Sequence, residues 1–99
     1  MRVGQGWDIH RMESGLKLII GGVEIPSDAG SVAHSDGDVL AHAVTDAILG
    51  SVAAGDIGSH FPDTDEKWKG ADSLALLSKA VQIASDYGFK PQNLDTTII

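Results

Sequence analysis

The sequence predicts an α+β fold: a β-sheet with helices packed on one face and a β-hairpin inserted between the first strand and the first helix. Three observations carry this. The chain opens on a stretch with period-two alternation. Two apolar runs then flank a Gly-Gly pair. Two later segments repeat apolar residues at three- and four-residue spacing before the chain returns to β-favouring residues. No repeat, linker or low-complexity tract interrupts the order strand, hairpin, helix, helix, strand, so residues 1–99 read as a single domain.

Arg2 to His10 reads as the first strand. Val3, Trp7 and Ile9 fall on one face, and Gly4, Gly6, Asp8 and His10 on the other. Two glycines weaken a strand, but they clear the face beside Asp8 and His10, either for a close backbone neighbour or as a floor for a ligand. Residues 11–17 read as a polar loop. Leu18 to Pro26 reads as a hairpin turning at Gly21-Gly22, which can take positive φ; the pair lacks the spacing and the Lys of a phosphate loop. Ser27 to Val32 is expected to be a loop.

Asp36 or Asp38 caps a helix running from Val39 to about Ala54 and ending near Gly55. At about 100° per residue, Leu40, Val44, Ala47 and Ser51 form one stripe. His42 falls almost opposite it, beside Asp38, Thr45 and Asp46, which disfavours a core histidine. Residues 55–65 are irregular, with Gly55, Gly58 and Pro62. Asp72 or Ser73 caps a second helix of about 15 residues, with Leu74, Leu77, Val81 and Ala84 on its apolar face, Leu76 and Ile83 widening that face, and Gly88 as the stop. Lys90 to Asn93 is a turn. Leu94 to Ile99 begins a second main strand, and with no turn or polar tail after it the pattern is that of an interrupted strand, a domain truncated at its C-terminus.

The net charge of −7 argues against a nucleic-acid backbone as partner, and no apolar run approaches the length needed to span a bilayer. The N-terminus lacks a secretory apolar region, so the cytoplasm is the expected location. Between Leu18 and Glu66 there is no Lys or Arg, whereas Glu24, Asp28, Asp36, Asp38, Asp46, Asp56, Asp63, Asp65 and Glu66 all lie inside that span. Such a stretch is either a solvated acidic surface or a cation site. An anion bound there would need metal ions and backbone N–H groups for positive potential.

With no cysteine in the chain, any metal must take His, carboxylate or water. Asp8 and His10 lie on one strand face, and with His42 they make a carboxylate–His–His set that suits zinc and leaves a fourth position open, the mark of a catalytic site. His34 is a rival ligand, and the sequence leaves that choice open. Asp46, one turn after His42, is a candidate to orient that ring. The loop from Asp56 to Asp65 is either a substrate-recognition loop or an ordinary acidic one.

Taken together, the runs Arg2 to His10, Gly21-Gly22-Val23-x-Ile25-Pro26, Ala33-His34-Ser35-Asp36-Gly37-Asp38 with His42 and Asp46, Gly55 to Gly58, Phe61 to Asp65 and Gly70 to Ser73 resemble the 2-C-methyl-D-erythritol 2,4-cyclodiphosphate synthase family of the non-mevalonate isoprenoid pathway. The motifs occur in the same order along the whole chain, which corresponds to about the N-terminal two-thirds of the family's length. The resemblance implies a homotrimer with sites between subunits, a cytosolic or plastid location, and a lyase reaction. In that reaction 4-diphosphocytidyl-2-C-methyl-D-erythritol 2-phosphate closes to the cyclic diphosphate and releases CMP.

It further implies that Asp8, His10 and His42 hold zinc, with Asp8 and His10 also against substrate. His34 and Ser35 would contact phosphate, with His34 as the catalytic residue that stabilises the transition state. Asp56, Ile57 and Gly58 would meet the ribose side, and Phe61, Pro62, Asp63, Thr64 and Asp65 the erythritol pocket. A second divalent ion, magnesium or manganese, would take a ligand from outside this chain, as would the cytosine pocket, so the 99 residues alone are expected to have little activity. The extra apolar positions Leu76 and Ile83 fit the expected oligomer. Two other readings remain: a zinc-dependent phosphoesterase, which would yield free phosphate, and a non-catalytic metal-binding fragment.

Overall fold

Local signals set most element boundaries. The computed structural model describes residues 1–99. It contains four three-residue strands, β1 (Met12–Ser14), β2 (Leu18–Ile20), β3 (Val23–Ile25) and β4 (Ala29–Ser31). After them come α1 (Val39–Ser51), the one-turn α2 (Ile57–His60), a 3₁₀ turn at Glu66–Trp68 and α3 (Ser73–Asp86). The class is α+β, but the single sheet expected from the sequence is replaced by two antiparallel ladders. β2 pairs with β3 in the register Ile20↔Val23, and β1 pairs with β4 in the register Glu13↔Gly30.

The hairpin forms where Gly21-Gly22 requires it. Both glycines have positive φ, 62° and 80°, the pair of left-handed residues that a tight two-residue turn needs. The polar runs on either side were expected to be loops. They instead extend the hairpin's arms, as β1 and β4, because Gly30 lets the returning strand lie almost on the backbone of Lys17.

Arg2 to His10 forms no strand, which corrects the sequence reading. Its alternation survives all the same. Val3, Trp7 and Ile9 are 84%, 77% and 91% exposed, while the other face lies across α1. A Cβ on Gly4 would stand 1.8 Å from the carbonyl oxygen of Ala47, and one on Gly6 1.9 Å from that of Ala43. Two residues of extended chain and four of helix cover nearly the same distance, roughly 6 to 7 Å. Glycines at alternate positions therefore meet carbonyls one helical turn apart. Of the two sequence readings, the close backbone neighbour is the one observed. Leu94 to Ile99 likewise forms no strand and is exposed.

The core is the α1–α3 contact. On α1 the buried residues are Ala41, His42, Val44, Thr45 and Leu49, with Val52 just past its end, so of the Leu40–Ser51 stripe only Val44 is fully in the core. Leu40, Ala47 and Ser51 of that stripe are half-covered, under the crossing segment at Gly4 and Gly6. With two sides of α1 covered, His42 is buried at 8% exposure, against expectation. Thr45 satisfies its hydroxyl on the carbonyl of Ala41, 2.7 Å away. On α3 the buried residues are Ser73, Leu76, Ala80 and Ala84. Leu76 is therefore core at 3% exposure and cannot serve an oligomer contact, while Leu74, expected on the apolar face, is 42% exposed. α1 also stops earlier than expected: Ala53 takes a left-handed φ of 54°, and Ala54 N–H closes onto the Leu49 carbonyl.

Asp38, not Asp36, is the N-cap of α1, accepting from Ala41 N–H at 3.0 Å. It is also fully buried and accepts from Gly21 N–H at 2.9 Å and Gly22 N–H at 2.7 Å. One carboxylate thus holds both the hairpin turn and the first turn of α1. Because all three partners are donors, Asp38→Asn should point its amide group at a backbone N–H and destabilise the fold by about 1–3 kcal/mol despite equal size. Chemical denaturation measures this, and an unchanged midpoint would reject the clamp.

Candidate metal centre and cleft

The crossing of the N-terminal segment over α1 brings three metal-ligating side chains together. Asp8 and His10 follow Gly6 on the face turned to the helix, and His42 lies on the first turns of that helix. Asp8 Oδ2 lies 2.9 Å from His10 Nε2 and 3.1 Å from His42 Nδ1, and the two ring nitrogens are 3.3 Å apart. These three are a possible metal-binding triad, with ligand atoms all within 4.8 Å of one another. At about 2.0–2.1 Å per ligand, a tetrahedral zinc would hold its donors about 3.3 Å apart. The spacing observed fits that geometry.

The far sides of both imidazoles are occupied. His10 Nδ1 lies 3.2 Å from the Gly37 carbonyl, to which it donates, and this leaves the Nε2 lone pair for a metal. His42 Nε2 lies 2.7 Å from Ser73 Oγ and 2.9 Å from Ser35 Oγ. The expected partner of His42, Asp46, is engaged elsewhere: its carboxylate accepts from Ile57 N–H at 2.7 Å and ties α2 to α1. Ser73 was read from the sequence only as a possible helix cap, but Asp72 is the cap. Nothing local in the sequence marks Ser73 as a neighbour of His42, because the two meet only through the α1–α3 packing.

A cleft of about 300 Å³ opens beside the triad. Asp8, His10, His34, Ser35, His42, Ile57, Gly58, Phe61, Pro62 and Asp63 line it, joined by Trp68 and Leu76, which the sequence reading omitted. Asp56, Thr64 and Asp65 are not among the lining residues. Asp56 caps α2 in a reciprocal capping box with Ser59, and Asp65 caps the 3₁₀ turn. His34 Nε2 meets the carbonyl of Asp65 at 2.9 Å, away from the triad, so His34 joins the cleft without joining the three ligands. Phe61 and Trp68 stack edge to face at 5.1 Å, and Lys67 and Lys79 reach over the Trp68 ring, at 4.7 and 5.6 Å. Two cations from outside the Lys- and Arg-free span thus stand at a residue of the cleft wall.

Short antiparallel strands and two packed helices make this a small α+β protein, with a carboxylate–His–His set beside its cleft that could hold a metal ion. The chain is a member of the YgbB family, whose model matches residues 1–99. It is 58% identical, over all 99 residues, to the 2-C-methyl-D-erythritol 2,4-cyclodiphosphate synthase of Geobacter sulfurreducens. It spans 63% of that relative's length and 61% of the Dechloromonas aromatica one. A solved 2C-methyl-D-erythritol-2,4-cyclodiphosphate synthase superposes with a TM-score of 0.82 at 47% identity, covering 88% of this chain and 58% of that one. A form of that enzyme bound to CDP superposes with a TM-score of 0.81, at the same identity and coverage. No helix is long and apolar enough to cross a membrane.

Burial raises the pKa of Asp46 above its ordinary value, partly offset by the Ile57 N–H that it accepts. A raised carboxylate favours the fold most where it is protonated, so its contribution falls as pH climbs from the ordinary Asp value through the folded one. Asp46→Asn keeps an acceptor for Ile57 and should abolish that loss. The difference between the variant's and the parent's denaturation midpoints should grow in the variant's favour across this window and stay flat above it. A difference that is level with pH throughout would refute the assignment.

Proposed function

We propose that the protein is a 2-C-methyl-D-erythritol 2,4-cyclodiphosphate synthase. It would convert 4-diphosphocytidyl-2-C-methyl-D-erythritol 2-phosphate to the cyclic diphosphate and CMP, as a lyase of isoprenoid precursor synthesis in the cytoplasm. The observation that carries the reading is the triad of Asp8, His10 and His42 opening onto a cleft lined by His34, Ser35 and Phe61. Family membership, the names of the relatives and the CDP-bound relative support it.

Zinc is the metal assigned to the triad, on the donor set and its spacing, and when bound it supplies Lewis-acid charge neutralisation to a phosphate. The chain's own residues do the rest. The His10 ring is oriented by Gly37, and Asp8 holds its carboxylate toward both rings. His34, held through Nε2 on the Asp65 carbonyl, lines the cleft, where its ring would stabilise the phosphoryl group in the transition state. Ser35 would offer its hydroxyl to the same group. Ile57 and Gly58 at the start of α2 would meet the ribose, and Phe61 with Pro62 and Asp63 the erythritol. Phosphoryl transfer depends on positioning and electrostatics more than on covalent chemistry, which suits this inventory.

Incubating the protein, extended to the length of its relatives, with the nucleotide substrate tests the reading. CMP and a cyclic diphosphate are expected; free phosphate would instead indicate a phosphoesterase. His42→Ala should empty the site of zinc. His34→Ala should leave zinc bound and slow turnover on the order of 10²-fold, the scale for one transition-state donor. Zinc retained in the first variant, or lost in the second, would overturn the division of roles.

A homotrimer is part of the same proposal. The exposed row of Val3, Trp7 and Ile9 supports it, since a second copy would take these side chains out of water. Light scattering at micromolar protein should give a three-fold mass, and Trp7→Asp should lower it. A monomer under those conditions would count against assembly.

A further inference from the structure

We infer that Ser73, with its hydroxyl proton committed to Asp36, is the positioning residue that sets the orientation of His42 for the metal. This inference rests on the zinc reading above. Three groups form an unbroken line behind the triad: the Asp36 carboxylate, the Ser73 hydroxyl and the His42 ring.

The hydrogen-bond inventory fixes its direction. Asp36 is acceptor only, and it takes three donors. Its Oδ2 accepts from Ser73 N–H at 3.0 Å, while its Oδ1 accepts from Asp38 N–H at 3.1 Å and from the Ser73 hydroxyl. A hydroxyl has one proton. With that proton given to Asp36, Ser73 Oγ can only accept from the nitrogen 2.7 Å away, His42 Nε2. The proton therefore sits on Nε2, and the Nδ1 lone pair is turned to Asp8 and His10. Ser73 is fully buried, so water cannot replace it. Ser35 Oγ, 2.9 Å from the same nitrogen, has no bond to Asp36; it also lies 3.4 Å from Ser73 Oγ, a far longer contact for the Ser73 proton than the Asp36 carboxylate.

The line also couples the metal to the fold. Ser73 is the first residue of α3, and the backbone around it is held by Asp36 N–H on the Ala71 carbonyl and Gly70 N–H on the His34 carbonyl. The seat of α3 is thereby transmitted to the ligand His42. Partners of this kind typically change metal affinity 10- to 100-fold.

The test titrates zinc into the full chain against a chromophoric chelator. Ser73→Ala should weaken zinc binding about 10- to 100-fold per folded molecule, and Ser73→Thr, which keeps the hydroxyl, should restore most of it. A purely structural serine would instead lower the metal-free denaturation midpoint and leave zinc affinity unchanged, and that outcome overturns the inference. A second measurement needs no variant. In the zinc-loaded parent, NMR should show a slowly exchanging His42 Nε2–H with a cross-peak to the Ser73 β protons; its absence overturns the inference even if Ser73→Ala does not fold. His42→Ala separates the two claims. Wild-type zinc affinity in that variant would remove the zinc reading itself, whereas lost zinc there beside unchanged affinity in Ser73→Ala would remove only the role of Ser73.

Discussion

The buried carboxylate of Asp38 is the constraint on which the rest of the structure depends. A buried charge is tolerated only when its lone pairs are filled, and here backbone N–H groups from the hairpin turn and from the first turn of α1 fill them. This explains how a chain with few buried residues holds its hairpin in one place. The two two-stranded ladders are too short to be stable alone. Asp38 anchors them to the helix that carries His42, and no buried side-chain polar atom is left without a partner.

Asp36, two residues earlier, plays the matching part for α3. Together the two acids turn the run from His34 to Asp38 into a junction where hairpin, α1 and α3 meet. The same run supplies the Gly37 carbonyl to His10 and the Ser35 hydroxyl to His42. Structure and candidate site thus share one set of hydrogen bonds. Part of the negative charge that made this region look like a cation site is spent on backbone donors, and Asp8 is left as the carboxylate that faces the two imidazoles.

The other requirement is close approach. Gly4 and Gly6 let the N-terminal segment touch the carbonyls of Ala47 and Ala43, and this contact delivers Asp8 and His10 to His42. Any side chain at either glycine would hold the segment away and separate the three ligands. The cost is that Val3, Trp7 and Ile9 are left facing outward, which is where the proposed assembly would find its apolar contact.

The sequence by itself determined what depends on near neighbours. The Gly21-Gly22 turn, the helices beginning after Asp38 and Asp72, and the stop at Gly88 are local conformational preferences and needed no partner. The triad was legible as well, because period-two alternation puts Asp8 and His10 on one face whether or not a ladder forms. Tertiary structure decided which face of α1 is buried, since that depends on α3 and on the crossing segment, and periodicity cannot tell one covered side from two. It moved Leu76 from an outer face to the core and took Asp46 from His42 to Ile57. It also set Ser73 behind His42, 31 residues away in the chain. Hydrogen bonds across such distances leave no periodic trace, because they are fixed by how helices pack and not by the spacing of residues along them.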